Sequence, residues 1–175
     1  MILSAEDIKT FLSGAAFAVS LVSLYFTRVN WLQSNRPIVS AFIAEHSSGE
    51  MASTFNLVVA NTGNPPAIRI RLHASHAEIS ALLEPEVIPA RFKNIESNFG
   101  AESEIPLLRN GEELSTSFGA FIRASAEGPW LRYGSEIEIS ITYRDLDGRR
   151  FEARQPLRVY ARHGFGGGKW SDARV

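Results

Sequence analysis

The segment Glu136-Ile-Glu-Ile-Ser-Ile-Thr-Tyr-Arg-Asp-Leu-Asp-Gly148 sets the fold class. Ile137, Ile139, Ile141 and Tyr143 fall on one side of a period of two, and Glu136, Glu138, Ser140 and Thr142 on the other. That alternation predicts a strand with one face on a core and one in water. Asp145-Leu146-Asp147-Gly148 supplies a hairpin turn. The returning strand is expected from about Arg150 to Tyr160, with Phe151, Ala153, Leu157 and Val159.

The same period recurs upstream. Ile38 to Glu45 is a candidate strand, and Thr54 to Asn61 sets Phe55, Leu57 and Val59 against Asn56. The dense turn signal Asn61-Thr62-Gly63-Asn64-Pro65-Pro66 follows. Ala67 to Ala74 then sets Ile68, Ile70 and Leu72 against Arg69, Arg71 and His73. Weaker strands are expected at Glu104 to Leu108 and Glu113 to Phe121, split by the turn Arg109-Asn110-Gly111. Ala77 to Leu83 and Phe92 to Phe99 read as short helices or irregular loops. Roughly seven short strands, each with one apolar face, indicate a mainly β chain folded as an antiparallel sandwich.

The N-terminus follows another rule. Ile8 to Phe26 is almost uninterrupted apolar and small residues: Phe11, Leu12, Ala15, Ala16, Phe17, Ala18, Val19, Leu21, Val22, Leu24, Tyr25 and Phe26. A helix of this length rises about 28 Å, close to the hydrocarbon thickness of a bilayer. Lys9 sits at the edge, where it can snorkel. The serines at 13, 20 and 23 can bond within the helix. Tyr25 and Trp31 lie where interfacial aromatics gather. A cleavable signal peptide fits poorly, because Glu6 and Asp7 replace a basic start and Tyr25-Phe26-Thr27-Arg28 replaces a small-x-small site. A buried soluble helix fits poorly too, since no polar stripe interrupts the run. Trp31 to Arg36 reads as the helix leaving the membrane, and Pro37 stops it. The expected organisation is an anchor over 1–36, a sandwich over 37–162 and a flexible glycine-rich tail over 163–175. Gly14 with Ala18, like Ala16 with Ser20, is a small-xxx-small pair of the kind that lets helices approach in homo-oligomers, although small residues are common in membrane helices and their frequency alone is the better explanation of both pairs. Arg28 and Arg36 against a lone Lys9 favour a single-pass inner-membrane protein with its domain in the cytoplasm.

Composition narrows the function classes. The 175 residues carry a formal net charge of −1, so no global charge demands nucleic acid. The absence of cysteine removes disulfides, thiolate zinc sites and thiol catalysis, and agrees with a reducing compartment.

Ser23 to Arg28, then Trp31, then Asn35-Arg36-Pro37-Ile38-Val39 resembles the junction of a loose group of uncharacterised bacterial membrane-anchored proteins. Asn61-Thr62-Gly63 with Pro66-Ala67, and Ile141-Thr142-Tyr143-Arg144-Asp145 with Gly148, are similar to the strand-turn-strand of immunoglobulin-like bacterial modules. The resemblance covers about a third of the chain and implies an immunoglobulin-like sandwich without an activity or functional residues. It departs from antibody-type domains in lacking the core disulfide and an evident strand-C tryptophan.

Chemistry-bearing motifs are sparse. His73 and His76 have only Glu78 nearby, short of a metal set. Asp145-Leu146-Asp147-Gly148 lacks a calcium loop's closing glutamate, Pro156 standing in that place. Gly164 to Trp170 fails the phosphate-loop pattern at His163 and Trp170. No nucleophile elbow occurs, and Glu112-Glu113 reads as a solvated turn, so no catalytic residue, cofactor or metal is expected. From Arg144 onward the chain is net positive, and Arg144, Arg149, Arg150 and Arg154 are candidates for contact with a membrane surface or an acidic partner. An ordinary solvated strand explains the same arginines. The expected function is a non-enzymatic module that recruits a protein partner to the membrane. The alternatives are a ligand-sensing effector that oligomerises its membrane helix, and an extracytoplasmic glycan- or surface-binding domain.

Overall fold

The structure, a computed structural model, describes residues 5–48, 52–85, 87–122, 130–132 and 134–159. The expected tail at 163–175 lies outside the described residues. The chain divides into two units, Met1–Arg36 and Pro37–Val175. The first is one helix, α1 (Ala5–Ser34), which runs past Phe26 because nothing before Pro37 interrupts it.

In the second unit, alternation produces strands where it was legible. These are β1 (Val39–Ser48), β2 (Ala52–Asn61), β3 (Ala67–His73), β4 (Ile105–Leu108), β5 (Glu113–Ile122), β6 (Glu136–Arg144) and β7 (Arg150–Arg158). They form two antiparallel sheets, ordered β1-β2-β5 and β4-β3-β6-β7. Phe55, Leu57, Val59 and Phe118 from one sheet share a buried core with Ile70, Ile139, Ile141 and Leu157 from the other. Between β3 and β4 the chain makes α2 (His76–Leu82), α3 (Pro89–Glu96) and a 3-10 turn (Ser97–Phe99). Their Ile79, Leu82, Ile95 and Phe99 complete the core, and Phe99 meets Phe118 edge to face at 6.3 Å. Gly119 is dictated by packing, since a Cβ there would lie 2.9 Å from the Leu131 side chain.

Polar side chains close the sandwich. The Gln155 amide on β7 accepts a hydrogen bond from Ala41 N–H and donates one to Ala41 C=O. It therefore occupies the bonding groups that Ala41 would offer to a further strand beside β1. Asn61, fully buried, is the hub of one end. Its Nδ2 donates to Pro65 O at 2.9 Å and Leu108 O at 3.1 Å. Its Oδ1 accepts from Ile38 N at 3.2 Å and Gly63 N at 3.0 Å. At the same end the buried Tyr143 hydroxyl donates to Pro37 O at 3.2 Å. Chain entry at Pro37, the β2–β3 turn, the β4–β5 turn and the β6–β7 hairpin therefore share one end of the sandwich.

Candidate functional site

Two surfaces have chemistry that the fold does not consume. The first is α1. Lys9–Ser34 is a 26-residue stretch long and apolar enough to cross a membrane, with none of its most apolar window buried. At about 1.5 Å per residue it spans roughly 39 Å, more than a hydrocarbon core of about 30 Å. Phe11, Leu12, Phe17, Val19, Leu21, Val22, Leu24, Tyr25, Phe26 and Trp31 are each between 52% and 79% exposed. The helix satisfies its own hydroxyls: Ser20 donates to Ala16 O at 2.9 Å, and Thr27 to Ser23 O at 2.8 Å. Gly14 and Ala18 lie one turn apart, and a Cβ on Gly14 would meet nothing within 4 Å.

The second surface lies on the outer face of the four-stranded sheet, at the Pro37 end. The register sets Leu107 opposite Ile68, Ile68 opposite Arg144, and Arg144 opposite Arg150. The result is a row across four strands, aliphatic on one side and cationic on the other. Directly opposed like charges oppose strand pairing. The far end of the same two strands places Glu136 opposite Arg158, joined at 2.6 Å. Arg69 adds a third arginine beside the row. It is the extra residue where the β3–β6 register shifts, and its φ of 52° is left-handed. A non-glycine residue is strained in that conformation, and such strain collects at functional positions. The neighbouring hairpin is a tight turn. Gly148 N donates to Asp145 O at 3.1 Å, Arg149 N donates to the Asp145 carboxylate at 2.8 Å, and Gly148 takes φ 84°. Its tip lifts Leu146 to 65% exposure, beside Arg149.

The structure thus gathers Arg144, Arg149 and Arg150 and sets Arg154 apart. Arg154 is further along β7, opposite Ser140, and lies 3.6 Å from Glu152. Arg69, Leu107 and Leu146 were not singled out in the sequence. The row needs cross-strand register, and the bulge at Arg69 has no glycine to announce it. His73 and His76 separate: His73 Nε2 meets the Thr142 hydroxyl at 2.9 Å, and His76 Nδ1 meets Glu96 at 3.1 Å. Among the described residues no three His, Cys, Asp or Glu side chains converge as a metal site. An open depression on the outer face is lined by Glu136, Glu138, Arg154 and Pro156.

These features define a class: an N-terminal apolar helix, suited to be a membrane anchor or a signal sequence, followed by two packed antiparallel sheets. The chain belongs to the DUF8453 family, a domain of unknown function, whose model matches residues 7–160. No curated protein matches it. Among solved structures it is similar to the X-ray structure of Northeast Structural Genomics Consortium target SoR45, at 13% identity over 78% of this chain and 94% of that one. The TM-score is 0.29, too loose a likeness to carry an argument.

Proposed function

We propose that this protein is a membrane-anchored, non-enzymatic interaction module that holds a protein partner at the inner membrane from the cytoplasmic side. The observation that carries the reading is α1, whose large apolar side chains find no burial among the described residues. The family match begins at residue 7, within α1, so helix and sandwich form one family unit. That supports a retained anchor over a leader that is removed. Confinement to a thin layer lets modest affinity for a partner suffice.

The strand order favours an immunoglobulin-like reading of the sandwich. Such domains pair their first, second and fifth strands in one sheet and their third, sixth and seventh in the other. Here β1-β2-β5 faces β3-β6-β7, with β4 beside β3. The edge suited to a partner is β5 over Glu113 to Ser117, which is exposed and has no second neighbouring strand among the described residues; further along, Ala120 O already accepts from Trp130 N at 3.2 Å. An extended segment adds to such an edge through backbone hydrogen bonds.

The test starts with the full chain extracted from membranes. Retention through alkaline carbonate at the full-length mass supports the anchor, and loss of the N-terminal residues overturns it. Partners captured with the intact chain are then compared with those captured by a chain starting at Arg36 and by a Ser115→Lys, Ser117→Lys variant. A partner kept without the anchor and lost with the lysines supports strand addition. One insensitive to the lysines removes β5 as its site.

A further inference from the structure

We propose that the Pro37 end of the sandwich lies on the membrane surface, with Arg69, Arg144 and Arg150 on anionic lipid phosphates and Leu146 at the headgroup boundary. This rests on the reading of α1 as a membrane anchor. Three independent features converge on the same end. Only Asn35 and Arg36 separate the last helical residue, Ser34, from Pro37. Three Cα–Cα steps reach about 11 Å at most, so the covalent chain tethers Pro37 within that distance of the last helical residue. The second feature is the unfavourable Arg144–Arg150 pair, with the strained Arg69 beside it. No side-chain partner within the described residues neutralises the three, so the fold gains nothing from setting them together. A phosphate between guanidinium groups supplies the missing charge and accepts paired hydrogen bonds.

The third feature is the mixture of apolar and cationic groups. Leu146 at 65% exposure and Leu107 at 39% flank the arginines. A purely acidic protein partner has no use for exposed leucines, whereas the headgroup–acyl boundary accepts both groups. The opposite end of the outer face carries Glu138 and the Glu136–Arg158 ion pair, and so has no unpaired arginine row of this kind. Asp147 at the hairpin tip is offset by Arg149, 4.0 Å away, so the attraction rests on the arginine row, and each arginine close to the surface contributes to it in a way that salt screens.

The absence of native cysteine allows single-site labelling. The full chain carrying Leu146→Cys, and separately Glu102→Cys at the other end of the sandwich, is labelled with an environment-sensitive fluorophore. Each is reconstituted into vesicles of neutral phosphatidylcholine, with or without about one-third phosphatidylglycerol. The expected result is a blue-shifted Leu146 label, quenched about two-fold more by lipid-borne quenchers in the anionic vesicles, with position 102 unchanged. High salt and the Arg144→Glu, Arg150→Glu variant abolish the difference. Both side chains point to solvent, and an unchanged circular dichroism spectrum confirms that the variant folds. A Leu146 label that stays in water while the protein floats with vesicles overturns the proposal and leaves the anchor intact. So does a lipid signal indifferent to charge, or one equal at position 102. Failure to float overturns both.

Discussion

Phe17 and Phe55 are the same side chain in opposite circumstances. Phe17 is 66% exposed on α1, and Phe55 is 1% exposed between the sheets. The sandwich removes its apolar surface from water with its own layers. The apolar side chains of the helix find no such cover among the described residues. An apolar side chain of this size gains about 1.5–3 kcal/mol on burial. The sequence signature differs accordingly: period two where the chain supplies both sides of a core, and an all-round apolar run where the surroundings supply one side.

The largest test of this contrast is truncation at both positions. Phe55→Ala is expected to cost the sandwich about 3–5 kcal/mol, through lost transfer energy and the cavity left behind. Phe17→Ala should leave the urea midpoint of the sandwich unchanged, read by tryptophan fluorescence in detergent. A comparable fall for Phe17→Ala would mean that the helix packs on the domain, and the contrast would break.

A charge within the helix probes the other side. Leu21→Arg is expected to weaken insertion by about 2.5–3.5 kcal/mol, the cost of arginine at the centre of a membrane helix. The chain should then be released by carbonate extraction while the sandwich's midpoint holds. Leu21→Ile is the control and should stay membrane-bound.

Asn61→Ala sharpens the contrast from within the sandwich. It removes both donors to Pro65 O and Leu108 O and both contacts accepted from Ile38 N and Gly63 N. Buried groups left unsatisfied cost about 1–3 kcal/mol each, and partial relaxation toward water brings the expected loss to about 2–3 kcal/mol in urea unfolding. Membrane retention should not change. Asn61→Asp should destabilise at least as much at neutral pH, because a carboxylate cannot donate to Pro65 or Leu108.

The hub also marks where sequence reading stops. Asn61 stood in the sequence as part of a turn signal, and nothing local reveals that its amide reaches Leu108, 47 residues away. The β6–β7 hairpin was legible to within about two residues, because alternation and a tight turn are local. The long apolar helix was legible because hydrophobicity is additive along a chain. The grouping of Arg144 with Arg150 and Arg69, and the separation of Arg154, depend on register and on the bulge, which belong to pairs of strands. α2 had a local signal that composition alone undervalued: Ser75-His76-Ala77-Glu78 has the spacing of a capping box.

That box gives the smallest and most local test. Glu78 N donates to the Ser75 hydroxyl at 3.2 Å, and the Glu78 carboxylate accepts from Ser75 N at 2.6 Å. The backbone hydrogen bond from Ser75, then the one with its side chain, hold the Glu78 carboxyl below the usual glutamate range, against a weaker opposing effect of burial. A depressed folded-state pKa means that the contribution is complete above the unfolded value of about 4.3 and fades as pH falls through the folded value. Glu78→Gln keeps an acceptor but loses the charge, so it should cost about 0.5–1 kcal/mol at pH 7. The difference between wild type and variant should shrink as pH falls below the ordinary glutamate range. Urea midpoints across that range measure it. Because α2 completes the core through Ile79 and Leu82, the effect should register in the unfolding of the whole sandwich and not at all in membrane retention. A variant whose deficit does not shrink on acidification would place the box's value in packing geometry, and charge would drop out of its account.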